Sequence, residues 1–338
     1  MRNERMDLSD KARQLHEASI IIDGLQISHW SEEVFLNLHR GGLTAINATV
    51  AIIEGFNETI QSIAWWYRMF EQYPSLIRPV RTVKDIDRAK EEGRTGIIFG
   101  FQNTSPIEED LSRLVIFKEL GVRIIQLTYM ERNYVGDGCL ERTDCGLSRF
   151  GLEVIEEMNR LGLLIDLSHA GYRTVMEAIE VSQKPVAFTH ANPRGLCDHP
   201  RNKTDEQIKA LAKKGGIVGA NVFPPFLSAG SRAKMQDYID TIDYFVKLVG
   251  MDHVSIGTDF TEGQPRSFFD YILKGKSKKE LAMNLEYPIV NPEGIRSSAD
   301  FLNITQALLA RGYTESETKK IMGENLIRLY QEVWQGNS

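Results

Sequence analysis

Eight short, nearly unbroken apolar runs recur along the chain: SIIIDG at 19–24, LTAINATV at 43–50, TGIIFGFQ at 95–102, VRIIQLTY at 122–129, GLLIDLSH at 162–169, PVAFTH at 185–190, GIVGANV at 216–222 and VSIGTDF at 254–260. Each has the length and apolar continuity of a strand buried on both faces. Most are separated by stretches with apolar residues three and four apart, such as 150–161 and 204–214, the period of a helix packed on one side. Asp205 and Glu206 fall in the first turn of the latter, where the helix dipole favours negative charge. Buried strands alternating with helices build parallel βαβ units. Eight such units in about 260 residues predict an α/β fold of the (β/α)8 TIM-barrel type. A doubly wound sheet is the competitor. However, the first run passes into Asp23-Gly24-Leu25-Gln26 with no GxGxxG, and no GxxxxGK[ST] occurs anywhere, which argues against a nucleotide cofactor.

No Pro/Gly/Ser-rich linker divides the chain, so residues 1–338 are expected to form a single domain. Two irregular stretches remain, 133–147 and 261–299, the second carrying Pro265, Pro288 and Pro292. Both follow strands and are expected on the barrel's C-terminal face, the longer one over its mouth.

Composition narrows the function class. Forty basic against 46 acidic residues leave a formal charge of −6, which gives no electrostatic footprint for nucleic acid or for anionic membrane. No apolar run approaches the roughly 20 residues that span a bilayer. The opening MRNERMDLSDKARQLHEASI is polar and charged, unlike a signal peptide. Cys139, Cys145 and Cys197 make neither a disulfide framework nor a CxxC zinc motif, and a cytoplasmic protein is expected. The aromatic stripe Trp65-Trp66-Tyr67 with Phe70 reads as core or subunit contact.

Candidate chemistry lies where the runs end. Asp23, Gln102, Tyr129, His169 and His190 close their runs, Asn221 lies in the seventh, and Asp259 lies in the eighth. In a barrel these positions converge on one crevice. His169 and His190 end consecutive runs, which sets two imidazoles on neighbouring strands. Neutral imidazole is a common zinc ligand, and it is also an ordinary strand cap bonded to a carbonyl. Asp259 suits a third ligand, a general base or an N-cap. Arg201 follows the sixth run, where a guanidinium either clamps a substrate carboxylate or is simply solvated. Asn133, opening the loop after the fourth run, joins Arg201 as a candidate to touch substrate.

Taken together, Gly146-Leu147-Ser148-x-Phe150-Gly151, Met158-Asn159-Arg160-Leu161-Gly162, Ile165-Asp166-Leu167-Ser168-His169, Thr189-His190, Arg201-Asn202, Gly257-x-Asp259-Phe260 and Met322-Gly323-Glu324-Asn325-Leu326 resemble the membrane dipeptidase (renal dipeptidase) family over nearly the whole chain. The resemblance implies an amidohydrolase-like barrel and a zinc-dependent hydrolase of dipeptides or similar small amides, commonly a homodimer. It matches His169 and His190 to zinc ligands, Arg201 to the residue holding the substrate carboxylate, and Asp259 to the acid on the last strand.

The departures from the family are equally specific. Its Asp-Gly-His-x-Asp motif reads Asp23-Gly24-Leu25-Gln26-Ile27 here, so both metal ligands in it are apolar. Its bridging Glu is Gln102, and the His near the reacting carbonyl is Tyr129, which is therefore grouped with Asp259 as catalytic. A neutral amide supplies no charge to offset repulsion between two dications. At most one zinc per chain is expected, on His169 and His190 with Gln102 or Asp259 as a weak third donor. Three functions follow: a one-metal hydrolase, a small-molecule binding protein that has lost the metal chemistry, or a barrel enzyme acting on a different small metabolite.

Overall fold

A computed structural model describes residues 7–273 and 287–335. Among the described residues nine strands run in parallel: β1 (Ile22–Gln26), β2 (Ala45–Ala51), β3 (Ile77–Val80), β4 (Thr95–Phe101), β5 (Val122–Gln126), β6 (Leu164–Asp166), β7 (Ala187–Ala191), β8 (Ile217–Ala220) and β9 (Val254–Ile256). Eight follow the order β1-β2-β4-β5-β6-β7-β8-β9, and β3 pairs with β4 alone. The ring closes where Gln26 bridges Phe260 and where the Asp259 amide donates to the Leu25 carbonyl at 3.0 Å. This is the expected (β/α)8 barrel. The additional strand, β3, is not one of the eight apolar runs. Its four residues include Arg78 and Pro79, and it lies against only the first half of β4, Ile77 beside Thr95 through Val80 beside Ile98.

The barrel floor is built from one residue of nearly every strand. Ile22, Ala45, Ile98, Ile124, Leu164, Ala187 and Ile217 form one cluster with Leu326, Leu329, Tyr330 and Val333 of the last helix, Asn325–Val333. That helix plugs the N-terminal end, and function is left to the other end. The family-like motif GLSRFG has a local cause. Ser148 caps the helix Arg149–Leu161 by accepting from the Gly151 amide, and any side chain at Gly151 would strike the Val135 carbonyl. The helix stops at Gly162, φ 69°, a left-handed residue. Thr204 and Gln207 cap Asp205–Lys213 reciprocally.

The stretch expected to cover the mouth starts as a helix, Arg266–Ile272, and returns at 287. Its centre, 274–286, lies outside the described residues. Among the described residues no helix is long and apolar enough to cross a membrane.

Candidate active site

Tyr129, His169 and Asp259 each sit three residues beyond the end of β5, β6 and β9, Gln102 sits one beyond β4, and His190 lies within β7. At the C-terminal mouth the structure brings most of them together. Gln102, Tyr129, His169 and Asp259 line a cavity of about 40 Å³, roofed by Phe223, Phe226, Phe268 and Phe269.

The centre of the site is the imidazole pair. His169 Nε2 and His190 Nε2 are 3.0 Å apart, and the Tyr129 ring stacks on His169 with centroids 4.4 Å apart. His190 is oriented from behind. Its Nδ1 lies 2.8 Å from the Thr189 hydroxyl, which donates at 2.6 Å to Asp166. Since that hydroxyl proton is spent on Asp166, the Thr189 oxygen accepts from His190 Nδ1–H. The His190 Nε2 lone pair is therefore aimed at His169. Asp166 is fully buried, and it also accepts from the Ser168 hydroxyl and amide and from the Thr189 amide. A side chain that sets an imidazole's tautomer in this way is the usual outer support of a ligating histidine.

Backbone packing completes the positioning. A Cβ on Gly24, Gly219 or Gly257 would stand 2.7, 2.1 or 1.8 Å from the Thr189 carbonyl oxygen. Three strands thus approach the residue before His190 so closely that only hydrogen fits.

Arg201 is the main surprise of burial. As a loop arginine it would be solvated, yet it is 1% exposed. One nitrogen donates to the His190 carbonyl at 2.6 Å, and the guanidinium lies 5.5 Å from the Phe226 ring centre. Among the described residues its Nε and Nη1 have no hydrogen-bond partner, which leaves two buried donors suited to an anion. Burial also pushes Asp259 up to about 7, against the downward pull of Arg201 and of an Asn221 hydrogen bond. Asp259 is held at φ 60°, in the left-handed region that non-glycine residues seldom enter. Burial raises the Tyr129 phenol, so it remains a proton donor at neutral pH. Burial, with Arg201 and Lys203 alongside, drives His190 well below its usual value and keeps it neutral.

Two polar residues stand away from the imidazole pair. Asn133 does not line the cavity. Its amide nitrogen donates to Asn103, Thr104 and the Leu127 carbonyl, and its oxygen accepts from the Val135 and Gly136 amides, so it staples its own loop. His29 lies in a neighbouring groove, not at the imidazole pair. Gln102 does reach the cavity, but its amide nitrogen is engaged by the Thr49 hydroxyl at 3.0 Å. Sequence reasoning passed over Asp166, Thr189 and Lys203. Burial and the neighbouring Arg201 bring the Lys203 amine down to about 7. The one signal for Asp166 was an acid inside a strand-like run.

The donors fit one metal ion and not two. Nitrogens 3.0 Å apart can occupy neighbouring positions around a zinc with bonds of about 2.0–2.1 Å. Leu25 and Ile27 are buried hydrocarbons where the second ion's ligands would stand. Among the described residues no three His, Cys, Asp or Glu side chains converge on one point, so the remaining positions of a single ion fall to weaker donors.

The sequence profile of the Membrane dipeptidase family (Peptidase family M19) matches residues 34–271. Dipeptidase tcpJ of Claviceps purpurea (strain 20.1) is 27% identical over 279 residues, covering 82% of this chain and 60% of that protein. The chain spans about three fifths of the length of the curated relatives it matches. A crystal structure of an amidohydrolase from Pseudomonas aeruginosa superposes with a TM-score of 0.92 at 45% identity, covering 96% of this chain and 99% of the other. A metallo peptidase from Rhodobacter sphaeroides, crystallised with a phosphinate mimic of L-Ala-D-Ala, superposes at 0.79 with 19% identity over 94% and 100% of the two chains.

Proposed function

Because the chain belongs to the membrane dipeptidase family, peptidase family M19, we propose that it hydrolyses a small amide of the dipeptide class bearing a free carboxylate. One observation carries the reading: Asp259, raised to about 7, lines the cavity with Tyr129 and His169, and the buried Arg201 behind that lining, its Nε and Nη1 unpartnered among the described residues, pulls on it electrostatically. Arg201 receives the substrate carboxylate in a two-pronged hydrogen bond and fixes its orientation. Asp259, ionised above neutral pH, takes a proton from the attacking water and returns it to the departing amine. The Tyr129 phenol donates to the carbonyl oxygen as negative charge develops there. His169 and His190 would hold a single zinc, whose chemistry is Lewis-acid activation of carbonyl and water.

The cavity of about 40 Å³ holds roughly one water, so substrate enters only when the roof moves. The lost ligands at 25, 27 and 102 favour a second reading, a binding protein that retains the carboxylate site.

A dipeptide panel, with and without added zinc, separates the two. Turnover of ordinary dipeptides is expected to be weak. Arg201→Ala should raise KM, and Asp259→Asn should lower kcat about 10²–10⁴-fold. Turnover that survives a chelator and both substitutions would overturn the mechanism. Complete inactivity with zinc present, but retained binding of a carboxylate ligand, would establish the second reading.

A further inference from the structure

Beside the small cavity lies a larger groove of about 450 Å³, and the two share Ile27 and Phe268 as a common wall. Trp30, Trp65 and Phe268 contribute aromatic rings to its lining, and Glu54 is the one acid. The described lining contains no Lys or Arg.

The aromatic rings are held in place. Trp66 is buried in the core, with the Trp30 ring 5.1 Å away on one side and the Trp65 ring 5.3 Å away on another. The stripe at 65–67 is therefore split: Trp66 packs, and its neighbour Trp65 lines the groove. The carboxylate is held as well. One Glu54 oxygen accepts from the backbone amides of Ile52 and Ile53 at 2.6 and 3.0 Å, and the Tyr271 hydroxyl also bonds this side chain. Fixed ring faces with a fixed anion, and with the His29 imidazole as the one nitrogen base in the described lining, form an environment that favours organic cations over carboxylates.

We propose that this groove is a subsite for an ammonium group, so that the substrate is a small zwitterion. Its cation lies among Trp30, Trp65, Phe268 and Glu54, and its carboxylate is turned inward toward Arg201. The position of the carboxylate rests on the hydrolase reading above, whereas the cation subsite stands on the groove itself. Charges of opposite sign at the two ends give the substrate one orientation, since reversing it would set like charges together at both.

Tryptophan fluorescence of the full chain provides a test independent of turnover. The probe is tetramethylammonium chloride, titrated at constant ionic strength against sodium chloride. Tert-butanol serves as the uncharged probe of the same size. Saturable quenching by tetramethylammonium is expected, with none from tert-butanol. Glu54→Gln should weaken binding about 10-fold or more while keeping an oxygen for the Ile52 and Ile53 amides, and thermal melting checks that the fold is intact. Trp65→Leu should weaken binding and lower the quenching amplitude together.

Equal midpoints for the charged and uncharged probes, or unchanged affinity in Glu54→Gln, would overturn the proposal. For any dipeptide that is turned over, Glu54→Gln should raise KM more than it lowers kcat. The same substitution should leave KM unaltered for the N-acetylated, uncharged counterpart. Charge-dependent binding of tetramethylammonium without hydrolysis of any substrate would sustain the subsite and reject the hydrolase. Hydrolysis without charge-dependent binding would do the reverse.

Discussion

If Asp259 is the general base proposed, it should carry the site's pH dependence. With its carboxyl raised to about 7 by burial, the acid limb of kcat/KM should have its midpoint near that value, and Asp259→Asn should abolish the limb along with most of the rate. The same shift has a stability consequence of fixed sign. Asp259 at about 7 and Asp23 at about 6 bind protons more tightly folded than unfolded. Between about pH 4 and pH 7 the folded chain therefore holds more protons, and the contribution of these two groups falls as pH rises. Urea melts across that range should show a shallower decline in Asp259→Asn. For the imidazoles, elemental analysis should give at most one transition metal per chain, with none in His190→Ala. Gln102→Glu should raise zinc affinity by calorimetry, because a carboxylate attracts a dication that an amide only weakly coordinates. Unchanged affinity would mean that residue 102 does not reach the ion. His169, His190 and Asp259 were legible in sequence because the first two end apolar runs and the third lies one residue before the end of one. Asp166 and Thr189 were not, since their role is a hydrogen-bond chain between neighbouring strands and becomes visible only with the β6–β7 pairing.

At the scale of elements, periodicity located all eight barrel strands and the helices around 150–161 and 204–214, because burial on two faces or one leaves a plain signature. It missed β3, whose Arg78 and Pro79 break the apolar run, and whose partner is only part of β4. Strand ends were also set too late. Tyr129, His169 and Asp259 look like strand residues, yet each lies past the last paired position, where the chain is free to turn a side chain across the mouth. The last helix is an element whose purpose is mechanical. Leu329 is fully buried in the floor cluster, so Leu329→Ala should cost about 2–5 kcal/mol in urea unfolding. At the other end, the helix Arg266–Ile272 supplies Phe268 and Phe269 to the roof. Phe269→Ala should speed ligand association in stopped-flow measurements more than it changes chemistry at saturation.

At the scale of the whole molecule, the sheet closes on itself through Gln26 and Phe260, its floor is drawn from both halves of the chain, and we propose on that ground that the described residues unfold as one unit. Limited proteolysis should leave one resistant core, and two separable halves would argue against it. The reason lies partly in what the chain leaves out. Gly24, Gly219 and Gly257 are spread across more than two hundred residues, yet they surround one carbonyl oxygen, that of Thr189. They act as a ruler made of missing atoms: the place of the residue before His190 is bounded by three hydrogens, from β1, from β8 and from the residue that follows β9. A single methyl at any of them would move β7 as a lever moves its load, and the separation of His169 from His190 could be dialled by substitutions that touch neither. Drift at these positions would therefore detune the centre without altering a single one of its functional groups.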